Sequence, residues 1–287
     1  MENRKFVIYL LLLFTLPFSA LAYEPNSTHR GLTRDIIRFY EIFYPNTFSN
    51  EEELLIEKGA VEEDNGTRPL SHFYDPIYNK GIAYTSKDWA TNTLAQADFA
   101  YLSTLGNVFN AYFSSPTDYT WDRAIYEYAH EDKKRGLETL GHILHLLEDV
   151  TVPDHTRDDP HPPFFDEVFG QESPYEHFTN QFNVDNIKIS SKLLQAGKKP
   201  VYLGSLGEYF DTLATHSNLN FFSKDTIFVE RYKSPTIESR EQRVLSDGYI
   251  HEFGKLNNYL LVEIQKIPNM NKKVFEDHFL INDKDRL

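Results

Sequence analysis

The stretch "LHLLEDVTVPDH", residues 144–155, places two histidines and three acids in an otherwise apolar run. Its first half is typical of the end of a buried helix, which Pro153 terminates. His145 and Asp149 are four positions apart, so they share one face of that helix. His155 follows the proline and can approach the same cavity from another direction. The pattern favours a divalent-cation site. From this segment alone, the histidines could instead be core residues whose hydrogen bonds are satisfied.

Other segments carry further side chains that can bind a metal ion. They are "STHRGLT" with His29, "GAVEEDNGTRPLSHFYDP" with Glu63, Asp64 and His72, "DDPHPPFFDE" with His161, and "SPYEHF" with Glu176. Because the chain has no cysteine, histidine, carboxylate or backbone groups would have to bind the ion, and zinc suits this donor set. Taken singly, each segment is also compatible with a solvated loop or with a histidine bonded in a turn.

The N-terminal segment has the pattern of an export signal. A basic start, "MENRK", precedes the apolar run "FVIYLLLLFTLPF", and Ala20-Leu21-Ala22 matches a small-x-small cleavage site. The apolar run is shorter than the ~20 residues needed to span a bilayer. We therefore expect residues 1–22 to be a signal peptide and the mature chain to begin at Tyr23, secreted or periplasmic.

Helical periodicity dominates the rest of the chain. Apolar side chains recur at helical spacing, which predicts helices over residues 28–44, 50–61, 88–113, 118–150, 175–197, 204–222 and 237–266. Strand signals are few and short. We expect an all-α fold, with a single compact multi-helix domain over residues 23–270, long loops between helices, and a charged C-terminal tail over residues 271–287.

The motifs and their order resemble those of a known superfamily. The H-x3-D-x5-H spacing of residues 145–155 is similar to the signature of the bacterial zinc-dependent phospholipase C and S1/P1 nuclease superfamily. The segments "THRGLT", "HFYDP" and "YEHF" resemble its other motifs, in the same order. The resemblance covers about residues 23–180. It implies an all-helical phosphodiesterase domain that holds a cluster of three zinc ions among its loops.

Matching the motif residues one by one gives the ligands that the resemblance implies. The first zinc would be bound by Asp64, His72, His145 and Asp149. Asp149 would bridge to the second zinc, which takes His29 and the amino nitrogen and carbonyl of the N-terminal residue, here Tyr23. The third zinc would be bound by His155, Glu176 and one further histidine, for which His161 is the best remaining candidate.

Two positions depart from the pattern of the family. Its N-terminal residue is commonly tryptophan, whereas this chain would present Tyr23, which offers the same backbone atoms. Its last histidine normally lies four residues before the acid, where this chain has Glu172, so His161 would have to reach the site from a loop. His142 has no counterpart in the family, and we expect it to be a supporting or core residue.

The loop and its neighbours also supply candidate catalytic and substrate-binding residues. A carboxylate within hydrogen-bond reach can orient or deprotonate an attacking water, which makes Asp64 or Glu63 the predicted catalytic residue. Phe73, Tyr74 and Tyr126 are the predicted substrate-binding residues, because aromatic rings can enclose a quaternary ammonium head group. The same rings are compatible with packing in the core.

A phospholipid is the expected substrate, hydrolysed by a phospholipase C to diacylglycerol and a phosphorylated head group. Glu176 matches the phospholipase branch, whereas the nuclease branch tends to have aspartate, and the absence of cysteine departs from the disulfide-bearing nucleases. The net charge of −14 disfavours a nucleic acid. We expect transient contact with a membrane surface and no obligate protein partner. The alternatives are a single-strand nuclease or 3′-nucleotidase, and an exported zinc-binding protein without catalytic activity.

Overall fold

The computed structural model describes residues 25–96, 117–159, 173–179, 188–221, 223, 226, 231–232, 237–244, 249–256 and 260–268. Most of these residues are helical. A π-helical turn, Pro25–His29, and a 3-10 turn, Arg68–Ser71, accompany the α-helices α1 Arg30–Phe43, α2 Asn50–Glu62, α3 Ser86–Thr91, α4 Trp121–His130, α5 Lys133–Asp149, α6 Pro153–Thr156, α7 Pro174–Thr179, α8 Ile189–Gln195 and α9 Leu206–Asn220. Three strands follow, β1 Ile237–Val244, β2 Tyr249–Leu256 and β3 Leu260–Pro268.

Side-chain caps fix the starts of the two helices that support the site. The hydroxyl of Ser49 accepts from the backbone N–H of Glu52, and the Glu52 carboxylate accepts from the backbone N–H of Ser49. Asp132 caps α5 by accepting from two N–H groups of its first turn. These bonds satisfy donors that a helix start leaves unpaired. The caps fix the first residue of α2 and of α5. The candidate ligands lie at or just beyond the opposite ends of these two helices.

Two apolar clusters hold α5 in place. The first joins α1, α2 and α5 through the buried side chains of Ile37, Ile56 and Leu137. The second joins α3, α5 and α9 through those of Trp89, Ala90, Ile143, Leu146, Phe210 and Ala214. Burying a large apolar side chain contributes about 1.5–3 kcal/mol. The apolar faces of α5 are thereby anchored on both sides, which fixes the direction of its polar residues.

Helices α2 and α5 cross at two glycines. A Cβ atom at Gly59 would lie 1.8 Å from the carbonyl oxygen of Glu138, and one at Gly141 would lie 2.0 Å from the carbonyl oxygen of Ile56. Both distances are far shorter than van der Waals contact, so only glycine allows the two backbones to approach this closely. The close crossing brings the loop after α2, with Asp64, next to the last turns of α5.

Replacing Gly141 with alanine is expected to destabilise the protein by about 1–3 kcal/mol, because the added methyl group must push two packed backbones apart. Gly207→Ala in α9 is the matched control, since its added Cβ would meet side-chain atoms and no backbone, the nearest being Cε of Lys87 at 3.3 Å. Thermal unfolding of both variants checks the prediction. Equal melting temperatures for the two variants would contradict the close crossing.

The strands form an antiparallel meander in the order β1-β2-β3. Along β1 and β2 the pairing runs from Ile237 opposite Leu256 to Val244 opposite Ile250, and β2 pairs with β3 in the same antiparallel sense. The helix predicted over 237–266 is therefore wrong. β-branched and aromatic residues recur in all three strands, and their preference for extended backbone outweighs the helical spacing.

The mostly helical architecture agrees with the predicted all-α class, but two long helices are interrupted. The helix predicted over 88–113 is broken at Asn92, which adopts extended backbone with φ −119° and ψ 102° after α3 ends at Thr91. Helical backbone resumes over 93–96, and residues 97–116 lie outside the described part. The helix predicted over 118–150 is divided into α4 and α5, because Asp132 leaves the helical region to cap α5. Among the described residues, none of the helices combines the length and the apolar character needed to cross a bilayer.

Candidate metal centre

Six segments of the chain meet at the C-terminal end of α5, each with a predicted metal ligand. The ligands are His29 in the π-helical turn, Asp64 after α2, His72 after the 3-10 turn, His145 and Asp149 on α5, His155 in α6 and Glu176 in α7. All seven side chains are buried, with at most 7% of any residue exposed. Burying so many ionisable groups is costly unless charges compensate one another. The cluster is therefore the candidate binding site of the described chain.

Asp149 lies at the centre of this cluster. Its Oδ1 is 3.3 Å from Nε2 of His29, and its Oδ2 is 2.8 Å from Nδ1 of His72 and 3.3 Å from Nε2 of His145. Both oxygens are buried, and neither has a hydrogen bond of good geometry. A carboxylate whose two oxygens face different imidazoles has the geometry expected of a bridge between two cations.

Asp64 faces two of the same imidazoles. Its Oδ1 is 3.6 Å from Nδ1 of His72 and 3.6 Å from Nε2 of His145. Both of its oxygens are buried without a hydrogen bond. One donor atom each from His72, His145 and Asp149 lies within 4.8 Å of the others, and the same holds for His29, Asp64 and His145. The structure thus brings together the four residues predicted for the first zinc.

The orientation of His145 places a ring nitrogen opposite two carboxylates. Its Nδ1 lies 2.6 Å from the carbonyl oxygen of Ala60, and because a carbonyl only accepts, Nδ1 must donate the hydrogen. In the neutral ring Nε2 is then an acceptor, and it faces the acceptor oxygens of Asp64 and Asp149. Acceptors that face each other in a buried space repel. Either a proton on the ring or a metal ion between the groups removes this repulsion.

His29 repeats this arrangement with an acid that was not predicted to take part. Its Nδ1 lies 2.7 Å from Oε2 of Glu148, whose other oxygen accepts from the Thr33 hydroxyl at 2.9 Å. Its Nε2 points towards Asp149. A carboxylate behind a histidine that orients its inner nitrogen is common in metal sites. The signal in the sequence was an acid directly before a predicted ligand on a buried helix.

His155 and Glu176 form the far end of the cluster. Nε2 of His155 lies 3.4 Å from Oε1 of Glu176, while its Nδ1 lies 3.3 Å from the carbonyl oxygen of His72. The imidazole stacks on the ring of Phe73 with 4.2 Å between centroids. The placement fits the pair predicted for the third zinc. The other two predicted ligands, Tyr23 and His161, lie outside the described residues.

Glu63 is buried beside the cluster, and its oxygens are bonded to other side chains. Oε1 accepts from the indole N–H of Trp89 at 2.9 Å, and Oε2 accepts from Nε of Arg68 at 2.7 Å. Oε2 also contacts Nδ1 of His142. These bonds favour a role for Glu63 in positioning its neighbours over its predicted catalytic role. Asp64, the other predicted catalytic residue, has two oxygens that make no hydrogen bond within the described part of the chain.

The three predicted substrate-binding aromatics lie in different surroundings. Phe73 and Tyr74 are buried, Phe73 against His155, and the Tyr74 hydroxyl donates to Oδ1 of Asp211 at 2.6 Å. Tyr126 is exposed on α4, where its hydroxyl donates to Glu131 at 3.1 Å. Phe73 therefore shapes the wall of the cluster, whereas the hydroxyls of Tyr74 and Tyr126 bond to groups outside it.

The electrostatics of the cluster keep protons on two of its side chains near neutral pH. Burial raises the pKa of Asp64 to about 7. Burial disfavours the charged ring of His72, but the Asp149 carboxylate outweighs it and raises the pKa to about 10. For Asp149, burial is outweighed by the surrounding imidazoles, which hold its pKa well below its usual range. The cluster without a metal ion therefore carries protons near neutral pH that a cation would displace.

Affinity for a divalent cation is expected to increase with pH, and most steeply below about 7, where Asp64 is protonated. The sign follows because a raised pKa keeps the proton on the ligand at low pH, and a metal ion binds only the deprotonated form. Each displaced proton should change the affinity about tenfold per pH unit. Zinc titrations against a chromophoric chelator at several pH values, corrected for the protonation of the chelator, measure this. A pH-independent affinity would exclude proton displacement.

Compared with models of protein families and with curated proteins, the sequence matches none of them. The superfamily resemblance therefore depends on the motif residues, and the structure brings seven of these together in one buried cluster.

Proposed function

We propose that this protein is an exported zinc-dependent phosphodiester hydrolase of the phospholipase C type. One observation carries the proposal: three histidines have an outer ring nitrogen bonded to an oxygen and direct the inner nitrogen at a buried carboxylate. They are His29, His145 and His155. Buried metal sites have this arrangement, because the outer bond fixes the tautomer and the inner lone pair binds the ion.

The donor set fits zinc. Imidazole nitrogens and carboxylate oxygens bind zinc well, and the chain offers no thiolate. Two carboxylates with open oxygens, Asp64 and Asp149, are placed to share in binding more than one ion. Three ions, as in the superfamily that the motifs resemble, would give each of the seven buried donors a role.

Zinc ions bound here would supply a water of lowered pKa and positive charge to stabilise a phosphodiester in its transition state. The chain itself positions these groups. Asp64 has two oxygens without a hydrogen bond, so it is the residue that we propose to orient the attacking water. Glu148 and the carbonyl of Ala60 hold the rings of His29 and His145. Phe73 covers His155 and excludes water from that side.

A phospholipid is the substrate that we propose. Glu176 lies against His155, at the position where the phospholipase branch of the superfamily has glutamate. The chain also lacks cysteine and has a net charge of −14, which would repel a polyanion outside the immediate reach of the bound cations.

The test is an assay of the mature protein on phosphatidylcholine vesicles and on single-stranded DNA, each with chelator and after zinc is restored. The proposal predicts release of diacylglycerol that chelator abolishes and zinc restores. DNA cleavage without lipid hydrolysis would select the nuclease alternative. Zinc-loaded protein that hydrolyses neither substrate would select the non-catalytic alternative.

A further inference from the structure

A second group of possible ligands lies outside the cluster, where the end of α2 meets the middle of α5. Glu62 of α2 and Glu138 and His142 of α5 each place one donor atom within 4.8 Å of the other two. None of the three belongs to the ligand set described above. His142 is buried, whereas both glutamates are partly exposed, so the group opens to solvent on one side.

The histidine of this group is oriented as a ligand would be. Nδ1 of His142 is bonded to Glu63, which leaves Nε2 as the nitrogen available to a cation. Nε2 is buried and makes no hydrogen bond within the described part of the chain. The ring is held by stacking on Tyr119, with 3.8 Å between centroids. A buried polar nitrogen without a partner is costly, and a cation between the glutamates would satisfy it.

Lys58 now neutralises the two glutamates. Its Nζ lies 3.0 Å from Glu138 and 3.7 Å from Glu62. Half of the lysine side chain is exposed, and ion pairs of such exposed groups contribute little to stability. The ammonium can therefore move into solvent at small cost when a divalent ion binds. The position of the Lys58 ammonium shows that the two carboxylates attract positive charge.

We propose that Glu62, Glu138 and His142 form a separate site for a divalent first-row metal ion, such as zinc or manganese. One imidazole and two carboxylates are suitable ligands for either ion. The site shares α5 with the main cluster, and Glu63 links the two: it contacts His142 and lies 3.7 Å from Nε2 of His72. The proposal stands independently of the hydrolase function.

The experiment uses protein first saturated with zinc at its tightest sites and then titrated with Mn²⁺, with free Mn²⁺ measured by electron paramagnetic resonance. Manganese binds such sites more weakly than zinc, so it should fill the weaker site without replacing zinc in the cluster. Wild type is expected to bind one Mn²⁺ per chain. Glu62→Gln combined with Glu138→Gln should weaken that binding at least about tenfold, with the zinc content unchanged.

Two further variants separate ligation from general effects. Glu51→Gln combined with Asp122→Asn removes the same charge from exposed positions and should bind Mn²⁺ as wild type does. Lys58→Met should bind Mn²⁺ a few-fold more tightly, a gain that loss of folding does not produce. Wild type without a bound Mn²⁺, or the two double variants with equal affinity, would overturn the proposal. The difference in Mn²⁺ affinity between the two double variants reports on this site whether or not the main cluster holds zinc.

Discussion

Asp149→Asn is expected to reduce phosphodiester hydrolysis by about a hundredfold or more and to lower the zinc content of the purified protein. The carboxylate faces three imidazoles through both oxygens, and an amide supplies only one neutral oxygen. Changing a group that only supports a ligand already costs about 10–100-fold, so loss of a shared ligand should cost at least that much. Metal analysis and initial rates on phosphatidylcholine vesicles measure the two effects.

The matched control is Asp122→Asn, the same exchange at an exposed position of α4. It should retain the rate and the zinc content of wild type. His142→Ala should also lose far less activity than Asp149→Asn, because His142 lies outside the main ligand set. Near-normal turnover of Asp149→Asn would refute the bridging role.

Removal of the metal ions is expected to lower the melting temperature by more than about 10 °C. An ion that binds only the folded chain stabilises it by about 4 kcal/mol at a concentration a thousandfold above its Kd. For a chain of this size each kcal/mol corresponds to about 2–4 °C.

Thermal unfolding with and without chelator, followed by addition of zinc, checks this expectation. Zinc should restore the melting temperature, whereas magnesium at the same concentration should not, since it prefers oxygen ligands. An unchanged melting temperature after complete chelation would show that the folded state does not depend on metal ions.

Part of the buried cluster could be predicted because its signals are local, and the rest was implied by the resemblance to the superfamily. The spacing of His145 and Asp149 follows from the helical repeat, and Pro153 marks the turn before His155. The structure places each described member of that prediction in one buried cluster. What the spacing could not give was the partner across the site, since the contact between His29 and Glu148 joins residues 119 positions apart.

The helix boundaries and the C-terminal sheet depend on competing local and tertiary effects. Thr120 and Asp132 cap new helices within a stretch that has continuous helical periodicity, and a cap overrides periodicity because it satisfies the first N–H groups. In β1, β2 and β3 each strand is stabilised by its neighbours. Such pairing depends on hydrogen bonds to a partner strand, which the spacing within one segment does not report, so periodicity alone predicted a helix there.

The different roles of Glu63 and Asp64 could not be predicted from the sequence, because they depend on tertiary contacts. Glu63 and Asp64 are adjacent and equally acidic, and the sequence offered both as the catalytic residue. Their environments distinguish them: Arg68 and Trp89 hold the carboxylate of Glu63, whereas the oxygens of Asp64 have no hydrogen bond. Only the packing of α3 and the 3-10 turn against α2 decides this.

The most direct test of the account is the number of metal ions in the purified, zinc-saturated protein, determined by elemental analysis after exhaustive dialysis. We expect about three zinc ions per chain, held by the cluster after dialysis has emptied the weaker separate site, and fewer in Asp149→Asn. One ion per chain, or none, would contradict it.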